Sequence, residues 1–182
     1  MTDENLPDDD LLLRTARDSD GQAFAHLIRR YQARIIRFAA RVFNGDLDAG
    51  ADIAQETFVR LWESRHTYVA RGKLLPYLLR IAYNLCMSRL RSPESKLVGM
   101  SVAETTCARG APMELSLAVQ DALHDLPEPQ RVVFLLHEYE GLSYKEIADI
   151  LSISMGTVAS RKNSAVQALR ESLAPWFGRE NK

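Results

Sequence analysis

One helical stretch of the chain separates an apolar face from an acidic face that could bind a basic surface. Between Asp52 and Trp62, helical spacing predicts an apolar stripe that must be buried: Ala54, Phe58, Leu61 and Trp62. Charged and hydrogen-bonding side chains fall on the other side: Asp52, Gln55, Glu56, Arg60 and Glu63. A solvated face with a Glu56–Arg60 pair would give the same pattern. The helix alone favours that simpler interpretation, and the rest of the chain favours a basic partner.

Two segments near the C-terminal end have the pattern of a helix-turn-helix. Ser143 and Glu146 form a capping box at the start of the first helix. A tight turn follows, and Ser154 is placed to cap a second helix that begins at Met155. Such a second helix enters the major groove of DNA and presents polar side chains to base edges. We expect its exposed side to carry these residues: Thr157, Ser160, Arg161, Asn163 and Ser164.

A short helical hairpin without a DNA-binding role would share much of this pattern. The capping residues, the length of the motif and the adjacent basic pair Arg161-Lys162 together favour DNA binding. The net charge of −1 does not oppose this interpretation, because the charge is segregated along the chain. Residues 1–20 carry seven acids and two arginines, whereas residues 29–91 carry twelve basic and five acidic residues. A basic segment of a neutral protein can bind phosphate locally.

Composition excludes several classes of protein. The 182 residues, 46% hydrophobic and 26% charged, suit one medium domain or two small ones with real cores. No apolar run has the length of a membrane span, and the acidic start is unlike a signal peptide. Cys86 is expected on a buried helical face and Cys107 in a polar segment, without metal-ligand spacing. We therefore expect a cytoplasmic protein without disulfide, metal or membrane insertion.

The sequence contains no catalytic constellation. Its four histidines are scattered, and no nucleophile or oxyanion motif accompanies them. A glycine-rich phosphate loop is also missing from the sequence. We expect a protein that is not an enzyme and needs no cofactor.

Helical periodicity runs along the chain, and strand patterns are almost absent. Besides the helix after Asp52, helices are predicted near residues 9–17, 22–43, 73–91, 113–124, 129–140, 144–151 and 155–173. A polar loop is expected over 63–72. In the helix over 73–91, the expected buried stripe is Leu75, Leu78, Ala82 and Leu85. The stretch from 92 to 112 has no sustained period and predicts a flexible linker. The expected fold class is all-α, with small helical domains over 1–91 and 113–182, the second containing the helix-turn-helix.

Over nearly its whole length the chain resembles the extracytoplasmic-function (ECF) class of bacterial RNA polymerase sigma factors. In the first domain the resemblance rests on Asp52–Trp62, on Leu78–Asn84 and on Arg89-Leu-Arg91. In the second domain it rests on Leu126–Arg131, Glu140–Ala148, Gly156–Val158 and Ser160-Arg161. Each segment alone is moderately specific, whereas their order and spacing together are strongly specific.

The resemblance implies an alternative sigma factor that binds core RNA polymerase and directs initiation at a subset of promoters. In the family, an acidic helix docks on the basic coiled coil of the polymerase clamp, which here implies the residues Asp52, Gln55 and Glu56. The following loop and helix recognise the melted minus-ten element, which here implies Tyr68, Lys73, Tyr77, Arg80, Asn84 and Arg91. The helix-turn-helix would read the double-stranded minus-thirty-five element. Tyr68 could instead fold back over the core, and the sequence favours neither role.

The recognition helix departs from the family pattern at three positions. Ala159 and Ser164 occupy positions where basic residues are common in the family. Lys162 falls in the apolar stripe of this helix, which contains Val158, Ala165 and Leu169, and an aliphatic residue is usual there in the family. The aliphatic stem of Lys162 could therefore lie along the core while its ammonium reaches water or phosphate. These departures bear on how strongly the upstream element is bound.

The resemblance also implies a cognate anti-sigma factor that buries one or both promoter-binding faces. Two other functions compete with a sigma factor. A sigma-like mimic would sequester the anti-sigma factor, but such mimics generally carry a receiver domain, for which this chain has no room. A stand-alone helix-turn-helix regulator would leave the first domain unexplained. Binding to core polymerase distinguishes a sigma factor from an ordinary regulator.

Overall fold

The computed structural model describes residues 6–18, 20–69, 72–92 and 113–177, and their regular structure is helical throughout. The helices divide into two compact units, with the boundary between residues 100 and 101. The predicted all-α class is confirmed. The predicted linker beyond Ser92, with Cys107 in it, lies outside the described residues. Within those residues, none of the helices combines the length and the apolar character that a membrane span needs.

Among its described residues the first unit contains four helices, and acidic caps begin two of them. They are α1 (Asp8–Asp18), α2 (Gly21–Val42), α3 (Leu47–Ser64) and α4 (Leu74–Arg91). The Asp20 carboxylate accepts hydrogen bonds from Gln22 N and Ala23 N, both at 3.0 Å. The bond from Ala23 is the main reason why the pKa of Asp20 is lowered. Asp46 likewise accepts from Ala49 N at 2.9 Å, so each carboxylate satisfies amides that a helix leaves unpaired.

The end of α3 lies slightly later than predicted. The helix continues through Ser64, whose hydroxyl donates to the Arg60 carbonyl at 2.7 Å, so a loop beginning at Glu63 is wrong. Arg65 then covers the helix end: its Nη1 donates to the Trp62 carbonyl at 2.6 Å, and its guanidinium lies 4.2 Å from the Trp62 ring centroid. A cation suits the negative end of the helix dipole.

The core of the first unit is formed mainly by α2 packing on α3, with α4 covering both. Its large members are fully or almost fully buried: Leu27, Ile35, Phe38, Ile53, Phe58, Leu61, Leu74, Leu78 and Leu79. Cys86 is buried as predicted, and burial raises the pKa of its thiol to about 12. The two long helices approach each other closely at Gly50, where an added Cβ would lie 2.7 Å from the Ile36 carbonyl oxygen.

We predict that Gly50→Ala destabilises the first unit. The new Cβ would also lie 3.1 Å from Ala40 Cβ, so α2 and α3 must separate. Overpacking of this kind costs about 1–3 kcal/mol of unfolding free energy. Urea unfolding, followed by Trp62 fluorescence in a Trp176→Phe background, measures the loss. Gly21→Ala is the control, since nothing lies within 4 Å of its added Cβ; equal stabilities of the two variants would contradict the close approach.

Between residues 113 and 177, the part of the second unit that the structure describes, there are four α-helices and one π-helical segment. They are α5 (Met113–His124), α6 (Glu128–Phe134), the π segment (Leu135–Tyr139), α7 (Tyr144–Leu151) and α8 (Met155–Phe177). The single helix predicted over 129–140 is therefore a short α-helix that widens into a π turn. The last helix runs beyond the predicted residue 173 and continues through Pro175. Part of the core lies between α5 and α8, formed by Ala122, Leu123, Leu126, Ala165 and Leu169.

Arg131 joins α5 to α6 inside this unit. Its side chain is buried, and Nη1 donates to the His124 carbonyl at the end of α5 at 2.9 Å. Burial lowers the pKa of the guanidinium below its ordinary value. Arg131 thus has a structural role. It donates a hydrogen bond to a carbonyl at the C-terminal end of α5, which has no partner within that helix.

Candidate functional site

The α3 acidic face, defined as Asp52, Gln55 and Glu56, is exposed as the sequence predicts. It lies opposite the buried side chains of Ala54, Phe58 and Leu61, while Trp62 is half-buried against Phe24. Glu56 Oε1 accepts from Arg60 Nε at 3.0 Å, the pair expected from the i,i+4 spacing. The helix therefore carries its carboxylates on a surface held rigidly by the core beneath it.

Asp52 also has an ion-pair partner that the sequence did not indicate. Its Oδ2 accepts from Arg89 Nη1 of α4 at 3.1 Å, across 37 residues of sequence. Both side chains are well exposed, at 64% and 42% respectively. An exposed pair contributes about 0–1 kcal/mol, so a basic partner surface could replace Arg89 at small cost. A tertiary contact of this kind has no signature in local spacing.

One face of α4 presents cations and an amide to solvent. Lys73, Arg80, Asn84 and Arg91 are exposed, and Ser88 lies among them. The opposite side is buried at Leu78, Ala82 and Leu85, as predicted. Leu75, which the sequence also placed in the buried stripe, is only half-buried, because Leu74 and Leu79 fill the core instead. We call Lys73, Arg80, Asn84 and Arg91 the α4 face.

The two candidate tyrosines of this region pack against each other. The ring centroids of Tyr68 and Tyr77 lie 5.1 Å apart, and the Tyr77 hydroxyl donates to Ser64 Oγ at 2.9 Å. Burial raises the pKa of Tyr68 to about 12. Both residues are half-buried, so each keeps part of its surface in solvent. The structure thus brings both rings to the loop between α3 and α4, beside Lys73.

The helix-turn-helix forms with the predicted caps. The Ser143 hydroxyl accepts from Glu146 N at 3.3 Å, while Ser143 N donates to Glu146 Oε2 at 3.0 Å. Ser152 adopts the left-handed conformation at φ 55°, which turns the chain between α7 and α8. Ser154 Oγ then accepts from Thr157 N at 3.1 Å. Both helices of the motif therefore begin at caps that the sequence indicates.

The predicted recognition residues of α8 differ in exposure. Ser160, Asn163 and Ser164 are exposed, whereas Thr157 and Arg161 are half-buried. The Thr157 hydroxyl lies 2.9 Å from Ser154 Oγ, so it belongs to the cap as well as to the outer side. Val158, Ala165 and Leu169 form the buried side of the same helix.

Lys162 is engaged by a carboxylate within the second unit. Its side chain is only 22% exposed, and Nζ lies 3.2 Å from Glu138 Oε1 of the π segment. The sequence predicted an ammonium directed to water or phosphate, and the structure pairs it with Glu138 instead. Part of the positive charge of α8 is thereby neutralised, which makes Arg161 the principal cationic candidate among the recognition residues of the helix.

Comparisons with known proteins agree with this architecture. The family model for sigma-70 region 2 matches residues 27–95, and that for sigma-70 region 4 matches residues 116–169. The ECF RNA polymerase sigma factor SigW of Bacillus subtilis is 29% identical over 177 residues, covering 88% of this chain and 94% of that protein. The ECF RNA polymerase sigma-E factor of Escherichia coli K12 is 31% identical over 188 residues, covering 94% of this chain and 97% of that protein.

Two solved structures share the fold. The sigma factor RpoE from Bartonella quintana, solved in complex with the anti-sigma factor NepR, gives a TM-score of 0.71 at 24% identity, covering 83% of this chain and 96% of that one. CnrH, solved with the cytosolic domain of CnrY, gives 0.68 at 24% identity, covering 93% and 99%.

Sigma-70 regions 2 and 4, matched here in two small helical units of which the second carries a helix-turn-helix, identify a DNA-binding regulator of transcription initiation. The matched regions and relatives place the chain within a single family. It belongs to the ECF class of RNA polymerase sigma factors, and it is an alternative sigma factor that directs transcription by core RNA polymerase.

Proposed function

We propose that the first unit binds core polymerase through the α3 acidic face and captures the melted minus-ten element through the α4 face and the loop before it. The observation that carries this proposal is the exposure of two chemically opposite faces on neighbouring helices of one rigid unit. Gln55 and Glu56 offer acceptors to a basic surface. Lys73 and Arg80 neutralise phosphate, and the Asn84 amide can hydrogen-bond a base edge.

The second unit is proposed to read the minus-thirty-five element through α8. Arg161 supplies the cation, and the short side chains of Ser160, Asn163 and Ser164 require a close approach to base edges. Because Lys162 is paired with Glu138, this unit alone should bind DNA weakly. Tethering both units to one polymerase would then raise the effective affinity without new contacts. The domains assigned to these roles are 1–91 and 113–182, with the linker between them.

The proposal extends to regulation and place of action. The structures of RpoE and CnrH were solved with an anti-sigma factor and with the cytosolic domain of CnrY. This similarity supports a cognate anti-sigma factor that covers promoter-binding faces of this chain. Action on polymerase and promoter DNA assigns the protein to the cytoplasm. In this account the catalysis of RNA synthesis belongs to the polymerase, and this chain is not an enzyme.

Replacing Asn84 tests the minus-ten assignment. Asn84→Ala should relax base preference within that element, because an amide that reads a base contributes to discrimination between sequences. Lys73→Ala, the comparison variant, should weaken binding at all sequences and flatten the salt dependence, as expected for a phosphate contact. Transcription from a library of minus-ten variants by the reconstituted holoenzyme measures both effects. If Asn84→Ala retains the parent's preferences, Asn84 is not a reader of the element.

A further inference from the structure

The first turn of α1 holds the loop that precedes α4. Asp9 Oδ2 accepts a hydrogen bond from Gly72 N at 2.7 Å, across 63 residues of sequence. Gly72 has φ +65°, a conformation that favours glycine. The space around it is open, since an added Cβ would meet nothing within 4 Å. The hydrogen bond that Gly72 N donates to Asp9 therefore holds the backbone just before Lys73 and the start of α4.

The acceptor at Asp9 is itself held firmly. The neighbouring Asp8 carboxylate accepts from Arg30 Nη1 and from the Tyr31 hydroxyl of α2. Arg30 Nη1 also donates to the Leu6 carbonyl at 3.1 Å. On the other side of α1, Leu11 and Leu12 are buried in the core of the unit. The first turn of α1 is thus anchored on α2.

Tyr68, which lies between α3 and α4, is held by aromatic packing. Tyr68 lies against Tyr77, and Tyr77 donates to Ser64 at the end of α3. Burial, and after it the negative charges of Asp9 and Asp8, raise the pKa of the Tyr68 hydroxyl. Tyr68 is therefore held through Tyr77 and Ser64, and Gly72 is held by Asp9.

We propose that Asp9 is a positioning residue for promoter melting: by accepting the hydrogen bond from Gly72 N it keeps the backbone at Gly72 and Lys73, where the α4 face begins, in the geometry that captures an unstacked strand. This inference rests on the proposed function of the α4 face. A backbone segment that is already held in place loses less conformational entropy when single-stranded DNA binds. The property of Asp9 that matters is its hydrogen-bond acceptor oxygen and not its negative charge, because a carboxylate near DNA repels phosphate.

The test compares three variants of the full chain, each assembled with core polymerase. Asp9→Ala should slow open-complex formation about three- to tenfold, the effect of losing one hydrogen bond, and should broaden base preference in the minus-ten element. Asp9→Asn keeps an acceptor oxygen and should open promoters within about twofold of the parent. Asp10→Ala, which removes an exposed carboxylate from the same turn, should match the parent. Permanganate reactivity of promoter thymines follows opening.

Affinity for core polymerase, measured for every variant, reports whether the first unit is folded. Parent-like opening by Asp9→Ala would overturn the proposal. Loss of opening in Asp9→Asn equal to that in Asp9→Ala would also overturn it, because the acceptor would not be the property that matters. Asn84→Ala is assayed in parallel. If it relaxes base preference while Asp9→Ala behaves as the parent, only the positioning role fails; if both behave as the parent, the proposed minus-ten face fails with it.

Discussion

Replacing Asp52, Gln55 and Glu56 together by alanine is expected to weaken binding to core polymerase by about 2 kcal/mol or more, which is about thirtyfold in Kd. The physical reason is the loss of two carboxylates and an amide from a surface that faces a basic partner. Asp52 and Glu56 are ion-paired within the unit, but both pairs are exposed and easily exchanged. Fluorescence anisotropy of labelled protein titrated with core polymerase measures the change.

The control for this variant removes the same charge elsewhere. Glu114 and Asp121 are exposed carboxylates of α5, and their double alanine variant should bind core polymerase as the parent does. Circular dichroism should show that both variants retain the helical content of the parent, since none of the replaced side chains is buried. An unchanged Kd for the triple variant would defeat the assignment of the α3 acidic face.

Arg161→Ala is expected to reduce initiation by about tenfold or more at promoters that depend on the minus-thirty-five element. A single good arginine contact to a guanine edge contributes about 1–3 kcal/mol of discrimination, and the neighbouring Lys162 is occupied by Glu138. The measurement is in vitro transcription from paired templates with the intact and the scrambled upstream element. Only the intact template should lose activity.

Arg170→Ala is the matched control for this second experiment. Arg170 is exposed on the same helix, and the helical period places it on the side opposite Arg161. It should leave initiation at both templates unchanged. Full activity of folded Arg161→Ala at the intact template would show that another surface reads the upstream DNA.

The sequence predicted what depends on local spacing. The capping box at Ser143, the cap at Ser154 and the buried stripes of α3 and α4 all follow from residues within a few positions of each other. Helices α5 and α7 have the predicted bounds, because strong helix signals begin and end them. The acidic and basic character of the exposed faces was predictable for the same reason, since a helix sorts its side chains by period.

The contacts that the sequence missed join distant residues. The pairs Asp52–Arg89, Glu138–Lys162 and Asp9–Gly72 form only after helices pack, and no local pattern indicates them. The π segment after Phe134 was missed for a related reason. The spacing of its residues fits an ordinary α-helix, and local sequence does not show where tertiary packing changes the helical hydrogen bonding. These missed contacts bear on function. Asp52 is a candidate polymerase-binding residue, Lys162 is next to Arg161, and Gly72 immediately precedes Lys73.

Transcription by reconstituted holoenzyme tests the central claim most directly. Purified core polymerase is combined with the full chain on a library of templates with randomised upstream sequence, and transcript starts are mapped. We predict starts on a small fraction of templates, which share one element near minus ten and one near minus thirty-five. Core polymerase alone should not select these templates. Folded protein that neither binds core polymerase nor selects any template would contradict the account.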